Sequence, residues 1–178
     1  MKPIPVPIHI IVAVDQEWGI GKRNSLAWYL PEDLAHFRKI TTTVRDKNKI
    51  NAVLMGRKTW ESLPEKSQPL PQRLNIVVTH NKDYKFPEGV IPVDDIASVL
   101  SLLPDNIESL FVIGGAQIYH LALSQLPIES IFITKVFATF GCDTFFPQVD
   151  AQFTKKDESS ILTAKNGPQY QFVRYSKT

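Results

Sequence analysis

Asp33 is the residue whose place in the sequence most clearly suggests chemistry. Pro31 suits the first turn of a helix, because the N–H that proline lacks would have no partner there, so a helix is predicted to begin at this residue. On a helical period Asp33 then shares a face with Leu30, Leu34 and Phe37. A carboxylate on an apolar face could bind a ligand that offers hydrogen-bond donors, but a first-turn carboxylate also complements the helix dipole. The segment by itself leaves both interpretations open.

Two strand–glycine–helix units could bind phosphate groups. In the first unit, Gly56 follows a predicted strand and precedes Arg57, Lys58 and Thr59, which places two cations and a hydroxyl at a helix start. In the second unit, a strand runs into the glycine pair at 114–115 and then into another helix. Two such units on one sheet suit a dinucleotide, although the G-x-G-x-x-G fingerprint is absent.

The elements that must position these residues alternate between strands and helices. Strands are predicted at 8–14, 52–55, 74–79, 90–93, 110–113, 130–137 and 170–175, with one or two more around Phe153 and Ile161. Helices are predicted at 31–41, from 57, at 95–103 and at 116–126. The third helix is expected to bury Ile96, Val99, Leu100 and Leu103. The long segment 15–28 is either a lid or an ordered connection.

These patterns predict an α/β fold with one domain over residues 1–178. A mostly parallel, twisted central sheet should carry helices on both faces. No helical pattern separates the last strands, so a C-terminal antiparallel hairpin should be added to that sheet.

Composition narrows the class of protein. The chain has 43% hydrophobic and 21% charged residues and a net charge of +2, which are ordinary values for a globular protein and give no sign of nucleic-acid binding. Cys142 is the single cysteine, so no disulfide framework is expected. The four histidines lack the spacing of metal ligands, so no metal is expected. The segment 1–7 does not resemble a signal peptide and no stretch is long enough to span a membrane, so a cytoplasmic monomer is expected.

An ordered set of segments resembles the dihydrofolate reductase family over nearly the whole chain. The segments are I-V-A-V, G-I-G-K, L-A-W-Y-L-P-E-D-L-A-H-F, M-G-R-K-T-W-E-S, P-L-P-Q-R, V-I-G-G-A-Q-I-Y, I-T-K-V and D-T-F-F-P. The resemblance implies reduction of 7,8-dihydrofolate to tetrahydrofolate with NADPH, and binding of antifolate inhibitors.

The resemblance also implies a substrate site around Asp33. Asp33 would bind the N3 and 2-amino edge of the pterin with both carboxylate oxygens, and Thr134 would hydrogen-bond Asp33. Trp28 would hold a water near the pterin oxygen, and Leu26 is expected to belong to the catalytic site with Trp28. Arg73 would pair with the glutamate α-carboxylate. The other implied contacts are the Leu34, Phe37, Leu63 and Leu70 side chains, the carbonyls of Ile11 and Ile113, and Val12 and Tyr119.

For the cofactor, the resemblance implies a nicotinamide site lined by Ala13 and Ile20. Arg57, Lys58 and Thr59 would face the adenosine and pyrophosphate, and Arg57 with Thr79 and His80 would bind the 2′-phosphate. No acid is expected there to take a ribose hydroxyl, which favours NADPH over NADH. The two helix starts would complete the site with Gly56, Gly114, Gly115, Ala116, Gln117, Ile118 and Tyr119.

The implied reaction is hydride transfer to pterin C6 with protonation of N5. No side chain is placed to reach N5, so a water admitted under the loop at 19–26 is the expected acid, and Asp33 would favour the protonated pterin from a distance. Two alternatives are a related pteridine or pyrimidine reductase, which should lack Arg73, and a folate-binding protein without turnover, which could lose Asp33 or the glycine pair freely.

Overall fold

The structure is a computed structural model that describes residues 5–165 and 167–178. Residues 1–4 lie outside the described residues. They belong to the N-terminal segment 1–7, for which the sequence predicts no signal peptide. Within the described residues no helix is both long and apolar enough to cross a membrane.

The strands and helices follow the predicted alternation. The strands are β1 (Ile8–Val14), β2 (Gly19–Gly21), β3 (Ile50–Gly56), β4 (Arg73–Val78), β5 (Val90–Val93), β6 (Ile107–Gly114), β7 (Ile128–Val136), β8 (Thr144–Phe145), β9 (Phe153–Glu158), β10 (Leu162–Thr163) and β11 (Gln169–Lys177). The helices are α1 (Pro31–Thr42), α2 (Arg57–Ser62), α3 (Val99–Leu102) and α4 (Ala116–Gln125), with a 3₁₀ turn at Glu65–Ser67.

The main sheet has the order β10-β11-β7-β1-β6-β3-β4-β5, and β9 also pairs with β11. All neighbours from β7 to β5 along this order are parallel, whereas β11 is antiparallel to β7, β9 and β10. The prediction of a mostly parallel sheet with antiparallel C-terminal strands is therefore confirmed. β2 and β8 form a separate two-stranded sheet that joins the 15–28 segment to the segment after β7.

Helices cover both faces of the sheet because its strands are apolar on both sides. Alternate residues of β1, such as Ile10 and Val12, pack in one core cluster with Ile118 and Ala122 of α4. Ile11 points the other way, into a second cluster that takes up side chains of α1 and α2. The layered α/β architecture predicted from the sequence is confirmed.

The predicted helix at 95–103 is shorter than expected and is a correction. Only Val99–Leu102 is helical, and Leu100 is 41% exposed instead of buried. Asp95 accepts a hydrogen bond from the Ser98 N–H at 2.8 Å, and the Ser98 hydroxyl donates to the Asp95 carbonyl at 2.9 Å. The backbone bonds of this segment run from the Val99 N–H to the Ile96 carbonyl and from the Ser101 N–H to the Ser98 carbonyl, a three-residue spacing that gives tight turns in place of a regular α-helix.

Candidate active site

Asp33 and Thr134 meet across two elements that are far apart in the chain. Asp33 lies in the first turn of α1, and Thr134 is a buried residue of β7, paired with Ala13 of β1. The Thr134 hydroxyl donates to Asp33 Oδ1 at 2.6 Å, so the predicted hydrogen bond is present. α1 begins at Pro31 as predicted, and this start sets Asp33 above the carboxyl ends of the central strands.

The Asp33 carboxylate has more hydrogen-bonding capacity than its protein surroundings use. Burial raises the pKa of Asp33, and the hydrogen bond from Thr134 opposes that rise. Among residues 5–165 and 167–178, no cation forms a salt bridge with Asp33. A desolvated carboxylate of this kind gains most from a ligand that brings two hydrogen-bond donors.

The apolar side chains expected at the substrate site differ in their exposure. Leu34 is 42% exposed on α1, Phe37 is half-buried, and Leu70 is buried in the cluster beneath them. Trp28 is half-buried with its ring 4.9 Å from the ring of Phe140. The remaining predicted members of this group are half-buried Leu63 and Ile113 and the exposed Leu26.

Arg73 is a buried cation without a carboxylate partner in the part of the chain that the structure describes. The residue is 8% exposed, its Nη1 donates to the Thr41 hydroxyl at 2.9 Å, and its Nε donates to the Pro71 carbonyl at 2.9 Å. The guanidinium carbon lies 5.8 Å from the centre of the Phe37 ring. Burial, followed by the charge of Arg38, lowers the pKa of Arg73 to about 10, so the group stays charged at neutral pH. The group can therefore bind an anion next to the apolar surface.

The carbonyl of Ile11 already has one partner. The Tyr119 hydroxyl, buried in α4, donates to it at 2.9 Å, and a carbonyl oxygen has two lone pairs with which to accept hydrogen bonds. Val12 is directed away from Asp33, because its side chain packs with Ile118 and Tyr119 on the opposite face of the sheet. Only the backbone of Val12 can take part in a site on the Asp33 face.

The two glycine turns lie side by side because β3 and β6 are neighbouring parallel strands. A Cβ on Gly115 would stand 3.4 Å from the Thr59 hydroxyl, and a Cβ on Gly56 would stand 3.0 Å from Ile118. Gly114 has φ +120°, a backbone conformation that favours glycine. Among the described residues no side chain caps the start of α4, so its first N–H groups, those of Ala116 and Gln117 included, can meet an anion.

The expected 2′-phosphate residues lie at neighbouring strand ends, but two acids stand nearby. Arg57 Nη1 pairs with Glu61 at 2.7 Å on the surface of α2, and Lys58 and His80 are exposed. Asp94 and Asp95 line one surface cavity together with Thr79, because β5 pairs with β4 and sets residue 94 beside residue 79. The expectation that no acid stands near this position is therefore wrong.

Asp15 is a buried carboxylate that the sequence reasoning did not select. It follows the last residue of β1 and accepts hydrogen bonds from backbone N–H groups of two different loops. A signal was available, because an acid directly after a buried parallel strand lies at the edge of the sheet where ligands bind.

The sequence matches a known protein family over nearly the whole chain. A sequence model of the family "Dihydrofolate reductase" matches residues 7–177. A dihydrofolate reductase of Heliothis virescens is 39% identical over 181 residues, which cover 97% of this chain and 98% of that protein. A putative dihydrofolate reductase of Caenorhabditis elegans is 36% identical over 180 residues, covering 94% and 95% of the two chains.

Longer plant proteins also match. A bifunctional dihydrofolate reductase-thymidylate synthase of Glycine max is 40% identical over 173 residues, and these cover 93% of this chain but 33% of the plant protein. The chain therefore spans only a minor part of the length of such relatives. Because the family model covers almost every residue and the Heliothis virescens protein aligns from end to end, the chain belongs to the dihydrofolate reductase family.

Proposed function

We propose that the protein reduces 7,8-dihydrofolate to 5,6,7,8-tetrahydrofolate with NADPH as the reductant. The observation that carries this proposal is the half-buried Asp33 carboxylate, which has Thr134 as its side-chain donor and whose pKa is raised by burial. The N3 and 2-amino groups of a pterin would supply the two donors that such a carboxylate needs.

The remainder of the substrate fits the surface that leads away from Asp33. The aminobenzoyl ring would lie against Leu34 and Phe37, with Leu63 and Leu70 beneath it, and the glutamate α-carboxylate would reach Arg73. Carboxylate binding would give the buried Arg73 charge the partner that the described residues do not provide. Arg73 supports a folate over a pteridine that lacks a glutamate tail.

The two glycine turns fit the cofactor, because a side chain at Gly56 or Gly115 would fill the space between the two helix starts. When bound, NADPH supplies the hydride that is transferred to pterin C6. The N–H groups at residues 116–118 and the Thr59 hydroxyl would hold its pyrophosphate, and Ala13 and Ile20 would exclude water at the nicotinamide.

Protonation of N5 is assigned to a water molecule. Asp33 binds the opposite edge of the pterin in this proposal, so it would act by stabilising the protonated ring through charge. Trp28, held against Phe140, would position a water near the pterin oxygen. Below the raised pKa of Asp33 the carboxylate becomes neutral, and the affinity for a protonated pterin is expected to fall.

The direct test is the loss of near-ultraviolet NADPH absorbance when dihydrofolate is added to the purified protein, with NADH in a parallel cuvette. Rapid loss that depends on dihydrofolate is the expected result. If the protein binds folate tightly but consumes no NADPH, the alternative of a folate-binding protein without turnover would replace this proposal.

Arg57→Ala is expected to weaken NADPH binding by about tenfold and to leave NADH binding little changed, because a charge-assisted contact to the 2′-phosphate is lost. Dissociation constants for both cofactors, measured by quenching of protein fluorescence, would test this. Glu61→Gln is the matched control, since it removes the ion-pair partner at 2.7 Å and keeps Arg57. An unchanged preference for NADPH in Arg57→Ala would move the phosphate site to His80 or Lys82.

The metabolic role of the protein follows from the proposed product, tetrahydrofolate. Tetrahydrofolate serves one-carbon metabolism and the synthesis of thymidylate and purines, and antifolates would compete at Asp33. We propose that the protein acts as a monomer in the cytoplasm.

A further inference from the structure

Asp15 joins two loops through both oxygens of a carboxylate that is 4% exposed. Its Oδ1 accepts from the N–H of Glu17 at 2.9 Å and of Gly19 at 2.8 Å. Its Oδ2 accepts from the N–H of Phe140 at 3.1 Å and from the Cys142 thiol at 3.6 Å. Within residues 5–165 and 167–178, no cation forms a salt bridge with it. The carboxylate therefore serves backbone groups of two segments.

The turn that Asp15 stabilises contains a strained residue. Trp18 has φ +65°, a left-handed conformation that is unfavourable for a tryptophan. The two N–H groups bound to Oδ1 belong to the residues on either side of Trp18, and the Asp15 N–H donates to the Gly19 carbonyl at 3.0 Å. These three bonds supply local free energy that holds Trp18 in this conformation.

The second loop is packed directly against the first. The Gln16 N–H donates to the Ala138 carbonyl at 3.0 Å, and the Phe146 N–H donates to the Trp18 carbonyl at 2.8 Å. A side chain on Gly19 would overlap Cys142. The segment that includes Ile20 is thus held at the end of β1 by a junction with Asp15 at its centre.

Burial by itself would raise the pKa of Asp15, but the N–H groups of Gly19, Phe140 and Glu17 outweigh burial, and the pKa is lowered. A carboxylate with a lowered folded-state pKa stabilises the fold above its unfolded-state pKa, and this contribution is lost as the pH falls through the folded-state value. Asp15 is therefore ionised at neutral pH.

We infer that Asp15 is a positioning residue for the cofactor side of the site. Its carboxylate holds Gly19 and Ile20 at the end of β1, next to Ala13, and so shapes the proposed nicotinamide wall without contacting the cofactor. The inference rests on the proposed function, because Ala13 and Ile20 receive their roles there. In the part of the chain that the structure describes, the donors to the Asp15 carboxylate are Glu17, Gly19, Phe140 and Cys142, and none of these belongs to the folate side, which is built on α1 and Arg73.

Asp15→Asn tests this inference with almost no change of shape. The amide oxygen can still accept from Glu17 and Gly19, but the amide NH₂ must face the N–H of Phe140, so the hydrogen bond from Phe140 to residue 15 is lost and the junction between the loops is weakened. The NADPH dissociation constant is expected to rise about tenfold, while that of folate, measured by the same fluorescence titration, stays unchanged. Trypsin should cleave faster after Lys22 and Arg23, which are exposed in the same segment. The control is Asp150→Asn, a carboxylate that accepts from the Gln152 N–H at 2.9 Å in a turn outside the site.

The outcomes separate the inference from the function on which it rests. Equal weakening of folate and NADPH, or no change in either, would overturn the role of Asp15. A wild-type protein that binds no NADPH would instead overturn the proposed function, and with it this inference. If Asp15→Asn does not fold, the same comparison can be made with Asp15→Ser, which is smaller and keeps one oxygen acceptor one bond closer to the backbone.

Discussion

Asp33→Asn is expected to lower the turnover number for dihydrofolate by about 10²- to 10⁴-fold, the range typical for loss of a group that promotes proton transfer. The amide keeps the shape of the side chain and can still accept from Thr134. It cannot, however, supply the negative charge that would stabilise a protonated pterin. NADPH binding should not change, because the proposed cofactor residues lie on other elements. Steady-state turnover and an NADPH titration on the same preparation measure the two effects.

Glu32→Gln is the matched control for Asp33→Asn. Glu32 is the adjacent carboxylate, and its Oε1 accepts from the Lys165 N–H at 3.0 Å, away from Thr134. Turnover in this variant should equal that of the wild type. A comparable loss of turnover and NADPH affinity in Asp33→Asn would contradict the role assigned to Asp33.

Protein stability gives a second check on Asp33→Asn. Burial raises the folded-state pKa of Asp33, so ionisation destabilises the fold. This penalty is absent below the unfolded-state pKa and complete above the folded-state pKa. The Asn variant should therefore melt at the same or a higher temperature than the wild type at neutral pH, with the difference shrinking in acid. Lost activity with retained stability would exclude misfolding.

Arg73→Leu is expected to raise the KM for dihydrofolate by about 10²- to 10³-fold, because a buried charge pair loses one partner. Leucine preserves apolar packing against Phe37 and removes a cation that no carboxylate of the described residues neutralises. The turnover number at saturation should change much less, since Arg73 lies away from Asp33. Initial rates over a range of dihydrofolate concentrations measure both parameters.

A second substrate and a second variant define what Arg73 recognises. A 7,8-dihydropterin with only a methyl group at C6 lacks the glutamate, so its kinetics should be the same in the wild type and in Arg73→Leu. Arg73→Lys keeps the charge without the planar fork and should give an intermediate KM for dihydrofolate. Equal losses for both substrates would show that Arg73 supports the fold of the site and does not bind the carboxylate.

Local patterns accounted for much of the fold. The start of α1 at Pro31, the strand at Ile8–Val14 and both glycine turns were predicted because each depends on residues close together in the chain. The prediction of a helix over residues 95–103 was wrong, and the cause of this error is also local. Ile96 and Val99 are buried as the apolar period predicts, but the backbone there forms turns with hydrogen bonds of three-residue spacing, and only Val99–Leu102 is helical.

By itself the sequence determined which residue types were available and which short elements would carry them, including an acid on an apolar helix face and cations at a helix start. Which of these residues meet depends on how distant parts of the chain pack together. Thr134 reaches Asp33 across 101 positions, and Phe140 reaches Asp15 across 125. The same pairing of distant strands turned Val12 away from the site and set Asp94 beside Thr79. Strand order and register arise from packing of the whole chain, so no local pattern contains them.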